Sequence, residues 1–203
     1  MRSGSSQVVR LRARLREETA RAILASAEQV LAEEGLHAAR MERIAAQAGV
    51  AVGTLYNHFQ DREALLDALA TQRRVELLGK LDGALAATEG RPVRERLRAF
   101  LAALADHARA HGRFLQALVQ AGEGPVRARP PAPLLDALVS RAEVALAAGV
   151  AAGELRPDPA GVAALSFVSL ARTVVLRVIA EQPDRGADTL EAVLELFLRG
   201  AAR

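Results

Sequence analysis

An all-α fold is what this sequence predicts, and three observations predict it. Apolar residues recur at i, i+3, i+4 and i+7 along most of the chain, and no segment alternates apolar with polar residues over a useful length. The densest glycine and proline stretch, Gly122 to Pro133, lies between two such periodic segments and reads as one long loop. With 203 residues, 51% of them hydrophobic, there is material for one large or two small cores.

Residues 1–15 read as a basic, flexible arm, since Arg2, Arg10, Arg12 and Arg14, with Arg16 just beyond, precede the first acid, Glu17. Such a run suits a phosphate backbone or a minor groove, and equally a solvated tail. A first helix follows, with Ala20, Ile23, Leu24, Ala27, Val30 and Leu31 on one stripe and a stop at Glu34-Gly35. Two short amphipathic segments then meet at Gly49, the mark of a helix-turn-helix. The first places Ile44, Ala45 and Ala48 on one face, with alanines small enough for another helix to approach closely. On the second, Val52, Leu55 and Phe59 gather on one side and Gly53, Thr54, Asn57 and His58 on the other, with Tyr56 at the border. The polar side has no carboxylate, so it suits phosphates and base edges, although an ordinary solvated face has the same look.

Val52-Gly-Thr-Leu-Tyr-Asn-His-Phe59, followed by Asp61-Arg-Glu-Ala-Leu-Leu66, resembles the recognition helix and next-helix start of the tetracycline-repressor (TetR) family of bacterial regulators. Met41-Glu-Arg-Ile-Ala-Ala-Gln-Ala-Gly-Val50 is similar to that family's preceding helix and turn in the same register, and the resemblance runs over roughly residues 16 to 70. It implies a three-helix, homeodomain-like head and a DNA-contacting set of Arg40, Arg43, Val52, Gly53, Thr54, Tyr56, Asn57 and His58. Two positions depart from the family pattern. Ala51 opens the recognition helix where Ser or Thr is usual, and Ala38-Ala39-Arg40 offers no hydroxyl cap to the preceding one. Each missing cap costs about 1 kcal/mol of local helix stability and removes a phosphate contact, a duty left to Arg40 or Arg43.

Asp61 offers an N-cap to a fourth helix carrying Leu65, Leu66, Leu69, Val75, Leu77 and Leu78. The pattern restarts at Arg91-Pro92 with Leu97, Phe100, Leu101, Leu104 and Ala108, and a shorter helix holds Phe114, Leu115, Leu118 and Val119. Beyond the loop come a helix from Leu134 to Val150, a turn over Gly153 to Pro159, and helices near Pro159–Ala180 and Asp188–Ala201, the last opened by Asp188-Thr-Leu-Glu191 as a capping box. Those final two helices are apolar over too much of their circumference for one core. Their excess predicts a two-fold four-helix interface, with Val168, Val175, Ile179, Val193 and Phe197 as its candidate residues, against the rival of a large monomeric core. The domain organisation is then the arm over 1–15, a helix-turn-helix domain over 16–62, and a helical bundle for effector binding and dimerisation over 63–203.

His107 and His111 share a helical face at i, i+4, half of a zinc site, but the sequence near them supplies no clear third ligand, so no metal and no other cofactor is expected. A pocket of His107, His111, Phe114, Gln116 and Gln120 with Phe100 and Phe167 as walls is the ligand-site candidate, Arg172 being available to an acidic effector. Ser166, Ser169, Arg172, Thr173 and Arg177 make a polar stripe that meets solvent, a dimer axis or a ligand. No nucleophile elbow, phosphate-binding glycine loop, buried carboxylate pair or metal spacing is present, which argues against an enzyme. The net charge is only +3, and the pI of about 10.4 reflects basic residues that are all arginine save Lys80. There is no cysteine, no membrane-length apolar run and no signal-peptide pattern, so a cytoplasmic protein without a membrane partner is expected. The expected partners are a double-stranded DNA operator, a second copy of the chain and an unidentified small-molecule effector. A helical dimeric interaction or small-molecule-binding protein that does not touch DNA is the alternative.

Overall fold

The computed structural model describes residues 3–36, 39–120, 132–158, 161–180 and 183–201. The described residues are all-α, with eight helices in order: α1 (Ser3–Glu34), α2 (Met41–Gln47), α3 (Val52–His58), α4 (Arg62–Ala87), α5 (Val93–Gln120), α6 (Ala132–Ala151), α7 (Ala163–Ile179) and α8 (Pro183–Ala201). No described helix is long and apolar enough to cross a membrane. The residues fall into two compact units: the first 72 with a short piece at the end of α5, and residues 73–116 with α6 onward. The division falls inside α4, later than the boundary at 62 expected from the sequence.

In the first unit, Ile23, Leu24, Ala27, Val30 and Leu31 of α1 are buried with Met41, Ile44 and Ala45 of α2 and Leu55 of α3. The stripe read from the sequence is the core. The arm expected over 1–15 continues α1, which reaches back to Ser3 through residues that are exposed from Gln7 to Glu18. What supports that stretch is helix propensity and same-face ion pairs, Arg14–Glu18 at 2.9 Å and Arg21–Glu17 at 3.6 Å. Gly49 has φ of +68°, with the Val50 N–H donating to the Ala45 carbonyl at 3.0 Å and the Gly49 N–H to the Ala46 carbonyl at 3.2 Å. This pair of bonds is a Schellman ending, which requires a left-handed residue and so a glycine.

The second unit is built around Phe167 of α7, which meets Phe100 of α5 edge-on at 5.4 Å and Phe197 of α8 at 5.1 Å. Leu97, Leu101, Val174 and Leu194 are fully buried around them. α7 packs against both α6 and α8. The helix starts are held by side chains from elsewhere: the Glu154 carboxylate accepts from the Val93 N–H at 3.0 Å, and Asp158 accepts from the Ala163 N–H at 2.6 Å. Arginines of α5 face glutamates of α8, with Arg94–Glu195 at 2.9 Å, Arg94–Glu191 at 3.4 Å and Arg98–Glu191 at 2.6 Å. The last helix begins at Pro183 and not at Asp188. Proline is well suited to a first helical position, because the N–H it lacks has no partner there.

Candidate functional site

The first short helix after α1 opens at Arg40 and the second at Ala51; both residues are extended (ψ 148° and 145°) and neither gives a side-chain cap. The missing caps inferred from the sequence are therefore real. α3 buries only Leu55, and Phe59 closes its far end. Gly53, Tyr56 and Asn57 are exposed, while Thr54 and His58 are half-buried beside them. A Cβ on Gly53 would meet nothing within 4 Å, so packing within the chain does not require a glycine there. Val52 is 37% exposed, which moves it from the apolar side to the outer face. Arg16 donates to the Asn57 carbonyl at 3.4 Å, bringing α1 to the end of α3 and leaving the Asn57 amide outside that bond. Arg40 is exposed at the start of α2. Arg43 instead pairs with Glu34 at 3.1 Å, so part of its charge is already neutralised. Asp61 accepts from the Ala64 N–H at 2.7 Å and starts α4 as expected.

The structure distributes the ligand-site candidates over several surroundings. Phe100, Phe114 and Phe167 are fully buried, and Arg172 lies on the exposed side of α7. The side chain of Gln120 lies outside the described residues. An open cleft of about 450 Å³ is lined instead by Ala108, Arg109, Gly112, Arg113, Gln116, Val178 and Ile179. Of the expected ligand residues whose side chains are described, Gln116 lines it. Arg109 and Arg113 give it positive charge, Arg109 also pairing with Asp106. Sequence periodicity missed this cleft because the apolar side of α5 is spent on the core, and the cleft uses the neighbouring, arginine-bearing side.

His107 and His111 do come together, with ring centroids 4.6 Å apart, and a third group joins them from α4. Glu76 lies 3.4 Å from His111 Nε2, and it also pairs with Lys80 at 2.8 Å and Arg73 at 2.6 Å. These contacts, Lys80 first, hold the Glu76 carboxyl down at about 2. Burial lowers the His107 imidazole to about 4, with the neighbouring His111 contributing, so it is neutral at physiological pH. α5 breaks at His111, whose φ and ψ of −121° and 15° leave the helical region.

The candidate interface residues also differ in their surroundings. Val168, Val193 and Phe197 are buried within the chain's own core, and Val175 and Ile179 pack partly against it. The exposed apolar residues of the last two helices are Leu165 and Leu176 on α7 and Leu196 on α8. Leu165, Ser169, Arg172 and Leu176 follow one another along one exposed side of α7, where the polar stripe also lies.

A family profile described as bacterial regulatory proteins, tetR family, matches residues 23–69, the span of the head. The fatty acid metabolism regulator protein of Bacillus subtilis (strain 168) is 35% identical over 60 residues, 30% of this chain and 31% of that protein. The chain thus aligns with less than a third of the length of that curated relative. Among solved structures, the transcriptional regulator FadR from Bacillus subtilis in complex with stearoyl-CoA shares the fold at a TM-score of 0.70 and 22% identity, over 88% of this chain and 97% of that one. A TetR transcriptional regulator from Streptomyces coelicolor is 33% identical, with a TM-score of 0.54, over 90% of this chain and 98% of that one. Because that identity extends well beyond the head and over nearly the whole of a TetR regulator, the chain belongs to the tetR family of bacterial regulatory proteins.

Proposed function

We propose that the protein is a dimeric transcriptional repressor that binds a pseudo-palindromic DNA operator through α3 and is released by a small-molecule effector. The observation that carries the reading is the outer side of α3, where Gly53, Tyr56 and Asn57 are exposed with Thr54 and His58 beside them and no acid intervenes. Thr, Tyr, Asn and His can donate to phosphates and base edges, Asn pairing with adenine through two bonds, and Gly53 lets the backbone come close. Arg40 and, after release from Glu34, Arg43 hold the backbone phosphates.

Dimerisation sets two such heads on successive major grooves, about 34–36 Å or a modest multiple apart. The surface for it is the exposed side of α7 with Leu165, Ser169, Arg172 and Leu176, joined by Leu196 of α8. The effector is an anion with an apolar part, because the cleft combines Arg109 and Arg113 with Val178 and Ile179. The stearoyl-CoA held by FadR is a molecule of that kind. α4 contributes residues to both units and is the segment through which cleft and head are coupled. An effector that favours a DNA-incompetent state by 1–3 kcal/mol weakens operator binding roughly 5- to 150-fold, and DNA weakens effector binding by the same factor.

Selection of bound duplexes from a random pool at low salt tests the reading. A two-fold-related consensus supports it, and failure to retain any duplex overturns it. With the selected operator in hand, titration with an acyl-CoA checks the effector class, equal ligand affinity for free and operator-bound protein being the result that excludes an inducer.

A further inference from the structure

We propose that Glu76, His107 and His111 form a binding site for a divalent transition metal of the zinc and cobalt class. One ligand atom from each lies within 4.8 Å of the others. Glu76 Oε1 and His111 Nε2, 3.4 Å apart, already stand at the ligand-to-ligand edge of a tetrahedral zinc site, about 3.3 Å for bonds of about 2.0 Å. His107 is only 5% exposed and its Nδ1 has no hydrogen-bond partner, an arrangement that leaves a buried acceptor or donor unsatisfied. A metal bound by this imidazole orders the ring, and on Nδ1 it supplies the missing partner. Two imidazoles and one carboxylate are borderline donors that suit zinc, cobalt and nickel better than magnesium or calcium, and three protein ligands leave a position open.

The site is built from two helices of the second unit. On α5 the i, i+4 spacing puts both rings on one side, and the break at His111 changes the direction in which its ring leaves the backbone. Glu76 arrives from α4 with two cations attached, and they set the affinity. Lys80 holds Oε1, the oxygen nearest His111, from a half-exposed position, and moves into solvent when the metal takes that oxygen. Arg73 holds Oε2 and remains as the outer contact that fixes the carboxylate. The positive charge of both opposes a dication, so removing Lys80 strengthens the site.

The test uses chelator-treated full-length protein titrated with Co2+ or Zn2+ alone, followed by calorimetry and by the visible Co2+ spectrum, which distinguishes a low-coordinate protein site from the hydrated ion. The expected result is one saturable metal per chain with a low-coordinate spectrum, weakened at least about tenfold by Glu76→Gln and by His111→Ala. Lys80→Gln is expected to tighten binding several-fold, a gain that a purely structural charge cluster would not produce. Circular dichroism checks each variant's fold, and His111→Ala and Glu76→Gln decide the matter should the buried His107→Gln fail to fold. Absence of saturable binding in the wild type, or binding unchanged in His111→Ala, overturns the proposal.

Discussion

Gly149 sits in α6 with no room for a methyl group. A Cβ built there would lie 2.7 Å from Val93 Cγ2, 2.9 Å from Val93 Cβ and 3.1 Å from Leu155 Cδ1. Carbon atoms in contact prefer about 3.5–4.0 Å, so the new methyl intrudes by close to 1 Å, and Val93 Cβ is too near its own backbone to swing away. Replacing glycine by alanine inside a helix by itself adds about 1 kcal/mol of stability. Overpacking of this kind costs about 1–3 kcal/mol, which outweighs the gain and leaves Gly149→Ala neutral at best and about 2 kcal/mol destabilised at worst. Gly83 in α4 is the control, since a Cβ there meets nothing within 4 Å and the propensity gain stands alone. At equal protein concentration the two variants should differ in melting temperature by about 2–12 °C, Gly83→Ala being the more stable, given about 2–4 °C per kcal/mol for a chain of this size. Val93→Ala removes the closest atom but leaves Cβ, so in the double variant it restores part of the loss, as a coupling of about 0.5 kcal/mol or more. Equal melting temperatures for the two alanine variants would refute the close approach of α6 to the start of α5.

Asn57→Ala should relax sequence preference and cost about 1–3 kcal/mol on the selected operator, whereas Arg40→Ala should weaken all duplexes alike and lower the salt slope by about one; fluorescence anisotropy over a salt series separates the two. Leu176→Glu, on the exposed side of α7, should leave the helical spectrum intact and shift sedimentation from dimer to monomer, and an unchanged dimer would locate the interface elsewhere. Asp82 takes both oxygens to Arg141, at 2.7 and 2.8 Å, and this contact holds its carboxyl below the usual 3.8. A depressed carboxyl stabilises the fold above its unfolded pKa and loses that contribution as pH falls through the lower folded value, so the wild-type advantage over Asp82→Asn, less than about 1 kcal/mol because the pair is solvent-screened, should shrink and disappear as denaturant titrations are carried to acid pH.

The head was legible because its signals are local. Gly49 marks a left-handed helix ending whose two bonds are formed within five residues, and Asp61 caps α4 from three residues away. The side of α3 that faces outward also follows from spacing alone, except for Val52, which looks apolar but has no neighbour to bury it. The second unit was harder, since periodicity says that a helix has an apolar side without saying what covers it. Val168, Val193 and Phe197 have the spacing of interface residues but lie in the chain's own core, and Phe167 has the spacing of a pocket wall but lies between two other rings. Glu76 stands 35 residues before His111, and Glu34 reaches Arg43 across the bend between α1 and α2. Neither partnership has a spacing rule. At the start of α8 two signals compete, a capping-box pattern at Asp188 and a helix-opening proline at Pro183, and the helix begins at the proline.

The arginine and glutamate contacts between α5 and α8 join residues 93 to 101 positions apart. Surface pairs of this kind contribute little to stability, and salt weakens them further. Their effect is on choice of phase. α8 has leucine or phenylalanine at 190, 194, 196, 197 and 198, enough apolar surface that turning the helix about its axis by a single residue would still bury a hydrophobic strip. Such a turn would move Glu191 and Glu195 off Arg94 and Arg98, bringing Leu196 inward and Phe197 towards solvent. The charges thereby select one rotational setting among several of similar hydrophobic merit, and with it which leucine stays on the surface.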